Sequence, residues 1–137
     1  MPRNPSTGTP PKTTSLSRDK GHRFEREIVN VFKNLGYSKA CTTRFSSKQL
    51  DNASVDIDNI PYYVQCKSGY KRGLNYSAIL AKMKTQIKEI KDKIEYPLII
   101  LHKKTHKDFL AVVEYDFFIK LLKTYDELQR QSKNVPE

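Results

Sequence analysis

The chain has 137 residues, with 25 lysines and arginines against 15 acids and a net charge of +10. Independent domains usually need about 100 to 150 residues each, so this length suits one domain with a modest core and excludes two. The basic surplus attracts polyanions, which makes nucleic acid the expected partner; no apolar run approaches the ~20 residues of a spanning helix, so a membrane is set aside.

Residues 1–17 are rich in Pro, Ser, Thr and basic residues without apolar periodicity, and are expected to form a flexible basic arm. Ser17 is placed to cap a helix whose apolar residues Phe24, Ile28, Val31, Phe32 and Leu35 recur at spacings of three and four, closed by Gly36. Tyr37 to Phe45 has the β-branched and aromatic content of a strand, and Ser46, Ser47, Lys48 and Gln49 lead a polar turn up to Asn52. Val55 to Ile57 and Ile60 to Lys67, separated by Asp58 and Asn59, read as a hairpin.

From Ser77 to Ile94 the stripe Leu80, Met83, Ile87, Ile90 and Ile94 predicts an amphipathic helix, with Lys82, Lys84, Lys88, Lys91 and Lys93 on its other sides. Leu98 to Leu101 suits a buried strand and Phe109 to Val113 a second one, after a polar turn from Lys103 to Asp108. A last helix is expected over Asp116 to Gln129, with 131–137 as a tail. The order is α-β-β-β-α-β-β-α, a single α/β domain over 18–130. Cys41 and Cys66, the only cysteines, offer no thiolate cage, and with no hydrophobic leader they are expected as reduced thiols in a cytoplasmic protein.

The hairpin carries the chemistry. Side chains two apart in a strand point the same way, so Tyr63, Gln65 and Lys67 share a face, and Asp56 sits on the partner strand. A carboxylate, a second oxygen ligand and an ammonium in one place suit metal-assisted phosphodiester hydrolysis. The carboxylate holds Mg²⁺, with Mn²⁺ as a substitute, and the lysine positions water or offsets phosphate charge. Glu25, beside the inward-facing Phe24, could look toward the same cation, although composition alone favours Glu25, Arg26 and Glu27 as a solvated helix face. Taken singly, Asp56 reads as a turn-forming acid and Lys67 as an exposed strand lysine; only the combination raises them.

The run Lys20-Gly21-His22-Arg23-Phe24-Glu25-Arg26-Glu27-Ile28-Val29 is followed by Leu35-Gly36-Tyr37, Arg44, Val55-Asp56-Ile57 and Val64-Gln65-Cys66-Lys67-Ser68. Over about Asp19 to Tyr70 this pattern resembles the archaeal-type Holliday junction resolvases of the PD-(D/E)xK nuclease superfamily. The resemblance implies a restriction-endonuclease-like domain, its central mixed sheet flanked by helices. It implies metal ligation by Glu25, Asp56, Gln65 and the backbone carbonyl of Cys66, and a catalytic Lys67. Ser46 or Ser47 would match a functional loop serine, and Arg26 and Arg44 would serve DNA phosphates or the site. It further implies a homodimer that cuts four-way junctions with Mg²⁺. Gln65 stands where the family carries an acid, and Val55 where a proline often precedes the aspartate.

Lys20, Arg23, Lys48, Lys71 and Arg72 are further candidate DNA contacts around the motif, as are Lys82 and Lys84 on the lysine-rich helix, whose charges are nearly all of one sign. Two other readings keep the same residues: a nuclease for other branched, nicked or single-stranded DNA, and a non-catalytic DNA-binding module. His102 and His106 are spaced for zinc on a helix but flank a strand end and turn, so they read as solvated or phosphate-facing. Tyr62, Tyr63, Tyr70 and Tyr76 read as sheet or dimer surface in preference to base-stacking platforms.

Overall fold

The spacing of Phe24, Ile28 and Phe32 is realised in α1 (Pro10–Asn34), whose inner face buries Phe24, Val29 and Phe32. Val31 and Leu35, expected on the same stripe, are exposed, because Val31 lies off the face centred on Phe32 and Leu35 lies past the helix end. The computed structural model describes residues 10–69, 73–106 and 108–134. The helix starts at Pro10, ahead of the expected Ser17. A proline is accommodated in a first turn, because the amide it lacks would have no intrahelical partner there. The helix thus begins inside the stretch expected as an arm, and residues 1–9 lie outside the described residues. Gly36 closes the helix at φ +110°, a conformation that favours glycine.

The strand expected over Tyr37 to Phe45 shrinks to β1 (Cys41–Thr42), and the expected turn becomes two short helices, α2 (Thr43–Ser46) and α3 (Lys48–Asn52). Thr43 is the cause. Fully buried, it gives its amide to the Asp56 carbonyl at 3.0 Å and its hydroxyl to the Val55 carbonyl at 2.6 Å, which draws the chain off the strand path. Ser47 then caps α3 by accepting the Leu50 amide at 3.2 Å.

β2 (Ile57–Asp58) pairs antiparallel with β1, and β3 (Tyr63–Ser68) begins a second sheet. The tight hairpin is therefore looser than expected. Pro61 has no amide for the ladder, and pairing toward β3 includes the bond from the Asp56 amide to the Val64 carbonyl, 2.8 Å. In the second sheet β3 runs parallel to β4 (Leu98–Lys103), which runs antiparallel to β5 (Phe109–Val113). β5, expected as a buried strand, is an edge strand with Phe109, Leu110 and Ala111 exposed. The crossover helix α4 (Tyr76–Ile90) is capped by Asn75 and stops short of the expected Ile94; α5 (Tyr115–Asn134) outruns its expected end at Gln129 and takes in the first residues of the expected tail.

Alternation along β3 and β4 sorts the core into two layers. Tyr63, Leu98 and Ile100 pack with Met83 and Ile87 of α4 and with Ala53 and Val55. On the opposite face Val64 packs with Val29 and Phe32 of α1 and with Ile57 and Ile60. Val64, Met83, Ile87 and Ile100 are wholly buried, each contributing about 1.5–3 kcal/mol. The fold is thus mixed α/β, a three-stranded mixed sheet flanked by helices. Among the described residues no helix is long and apolar enough to cross a membrane.

Candidate active site

Asp56 lies where the two small sheets meet. Its amide donates to Val64 and its carbonyl accepts from Thr43, so the backbone is pinned in line with β3. The carboxylate is thereby turned along the strand edge, where Oδ2 accepts the Cys66 amide at 2.7 Å. The side chain does what a partner strand's carbonyl would otherwise do. Cys66 separates Gln65 from Lys67, and a strand residue presents its N–H and C=O on the same edge, so the Cys66 carbonyl opens beside the Asp56 carboxylate.

Burial pushes the Asp56 carboxyl up to about 7; the Cys66 amide lowers it, Glu25 raises it, Lys67 lowers it and Asp51 raises it again. Three acids and a lysine are thus within electrostatic reach of one another. Glu25 comes from α1, the helix whose neighbouring Phe24 is 2 % exposed, and its Oε2 accepts from Arg44 Nε at 3.1 Å. Both side chains are largely buried, at 13 % exposure for Glu25 and 24 % for Arg44, so the solvated-face reading of Glu25 does not hold. Among the described residues Gln65 Oε1 is buried without a hydrogen-bond partner, and an amide oxygen left so costs about 1–3 kcal/mol. The Cys66 thiol is pushed up by its burial and by the charges of Asp56 and Glu25, which keeps it protonated and unsuited to ligate through sulfur.

Asp51 on α3 is the member that sequence reasoning missed. The available signal was Ser47, a good N-cap residue four positions ahead, which marks a helix where a turn was expected. The two serines are otherwise engaged: Ser46 donates to Asp58 Oδ2 at 2.7 Å, and Ser47 caps α3. Among the described residues neither hydroxyl has a hydrogen bond to a side chain of the Asp56 cluster.

Lys20, Arg23, Arg26, Lys48 and Lys82 are exposed and open to phosphate, whereas Lys84 is ion-paired with Glu114 and turned toward the end of β5. Lys71, Arg72 and Tyr70 lie outside the described residues. His102 corrects its solvated reading, for it is wholly buried with Nδ1 at 2.7 Å from the Tyr76 hydroxyl and Nε2 at 2.7 Å from the Gly69 carbonyl. His106 is exposed, as expected.

Among the described residues no three His, Cys, Asp or Glu side chains form a ready metal cage. Mg²⁺ does not require one, since it keeps several waters and binds through one or two carboxylates together with substrate phosphates. The donors available here, the Asp56 carboxylate, the unpaired Gln65 amide oxygen and the Cys66 carbonyl, are hard oxygens that suit Mg²⁺ or Mn²⁺. Compared with protein-family models, with curated proteins and with solved structures, the chain matches none.

Proposed function

We propose that the chain is a divalent-metal-dependent DNA endonuclease with a restriction-endonuclease-like domain, acting on branched DNA and on four-way junctions in particular. The observation that carries this reading is the Asp56 carboxylate, desolvated and anchored on the Cys66 amide between Gln65 and Lys67. Asp56, Gln65 and the Cys66 carbonyl would hold Mg²⁺, with Glu25 as the nearby second carboxylate steadied by Arg44. The bound cation supplies positive charge against the phosphate and an acidified water. Lys67 stands beside Asp56 to orient that water and to offset charge on the phosphate.

The same reading takes the protein as a homodimer, because a two-fold assembly presents two sites to a two-fold substrate. Its surface is α5. Phe118, Leu121, Tyr125 and Leu128 form an exposed stripe at spacings of three and four, and the flanking Leu122, Thr124, Gln129 and Gln131 carry no charge. A second copy of a strongly basic chain can meet that seam without like-charge repulsion. Lys123 and Arg130 point away from it.

The test is a substrate panel of labelled four-way junction, flap, nicked duplex, linear duplex and single strand, with Mg²⁺, Mn²⁺ or EDTA. Metal-dependent cutting concentrated on the junction is the expected outcome. Equal rates on linear duplex would overturn the junction preference, and tight salt-dependent binding without cutting in either metal would leave a DNA-binding module.

A further inference from the structure

Where α1 crosses the carboxyl ends of the parallel strands β3 and β4, a pocket of about 240 Å³ opens. Lys20 and Arg23 line it from the helix, and Lys103, Lys104 and His106 from the end of β4 and the turn beyond it. Among the described residues Glu27 is its one acid. It lies 3.4 Å from Lys103 Nζ and so offsets a single cation, leaving the group strongly positive around a concavity. Like charges gathered in this way repel, and an anion seated among them relieves the repulsion.

The pocket is built more firmly than a scatter of surface lysines. Lys103 is only 20 % exposed, with Nζ 5.9 Å from the Phe24 ring centroid and 5.5 Å from that of Phe109, which fixes the ammonium at the pocket. Gly69, beside it, gives its amide to the Lys103 carbonyl at 2.9 Å and has its own carbonyl held by the buried His102. The location is also apt, since α/β sheets bind ligands outside the carboxyl ends of their parallel strands. Ser68 of the pocket directly follows Lys67, and Glu25 lies on α1 between Arg23 and Glu27.

We infer that this pocket is a phosphate subsite, holding an internal phosphodiester of the nucleic-acid strand that runs to Asp56 and Lys67, with Arg23 and Lys103 as its main contacts. The inference rests on the reading of the chain as a DNA-acting protein. It adds Lys103, Lys104 and His106 to the binding surface and sets the path of the strand.

Binding of the full chain to a four-way junction is measured by fluorescence anisotropy in EDTA across a salt series, so that no cutting intervenes. Lys103→Gln and Arg23→Gln should each weaken binding and lower the slope of log K against log salt by roughly 0.9, the loss of one phosphate contact. Lys123→Gln on α5 should change little, and Lys103→Arg should restore the slope, separating charge from folding. Gln variants that match Lys123→Gln overturn the inference. The same junction with 5′-phosphate or 5′-hydroxyl ends separates the two sources of phosphate. Equal losses on both support the internal phosphodiester, and a loss confined to the phosphorylated ends overturns it. A wild-type chain that binds but never cuts, with the two Gln variants still weakened, keeps the subsite and defeats the nuclease reading.

Discussion

Two regions break the ordinary rule that polar groups face water and apolar groups face the core, and they break it in opposite directions. At the join of β2 and β3 polar groups are inside: Asp56 is desolvated and Gln65 Oε1 is buried unpaired. Along α5 apolar groups are outside, with Phe118, Leu121, Tyr125 and Leu128 between 46 % and 60 % exposed. Each exception suits a different kind of partner. Buried oxygens with too few donors suit a cation, and an uncovered apolar stripe suits another protein surface.

The largest expected effect breaks the first region. Lys67→Ala should cost at least about 10²-fold in single-turnover cleavage while leaving junction binding nearly intact, because one preorganised charge at the reacting phosphate is lost. Next comes the second region, where Leu121→Lys with Tyr125→Lys should convert a dimer to a monomer in sedimentation while circular dichroism stays unchanged. A wild-type chain that sediments as a monomer at all concentrations tested removes α5 as a pairing surface.

A smaller effect is read by pH. The folded Asp56 carboxyl lies near 7, above its ordinary 3.8, so between these values the folded chain keeps a proton that the unfolded chain has lost. Stability therefore falls as pH rises from about 4 to about 7 and levels above, at roughly 1.4 kcal/mol per unit at most. Asp56→Asn, which keeps an acceptor for the Cys66 amide, should flatten that part of a denaturation series. An unchanged slope would place the proton elsewhere. The smallest expected effect is on metal affinity: Gln65→Glu adds a charged oxygen and should lower the Mg²⁺ concentration for half-maximal cutting several-fold.

The elements that packing alone dictates were legible in the sequence. The existence of α1, β4 and β5, the stripe of α4 and the face shared by Gln65 and Lys67 follow from periodicity; the exposure of Val31 and Leu35 and of most of β5 does not. What depended on partners distant in the chain was not. The short helices after β1 follow from Thr43 reaching Val55 and Asp56, and Asp51 joins the acids only because α3 forms. His102 looked solvated because Tyr76 and Gly69 are 26 and 33 positions away. Lys84 looked free because Glu114 is 30 positions away.

The most direct measurement is single-turnover cleavage of a labelled four-way junction by the wild-type chain and by Asp56→Asn, each in Mg²⁺ and in EDTA. Cutting by the wild type in Mg²⁺ alone, with Asp56→Asn silent yet still bound to the junction, is the expected result. Cutting by Asp56→Asn at the wild-type rate, or by either chain in EDTA, would contradict a metal site built on Asp56.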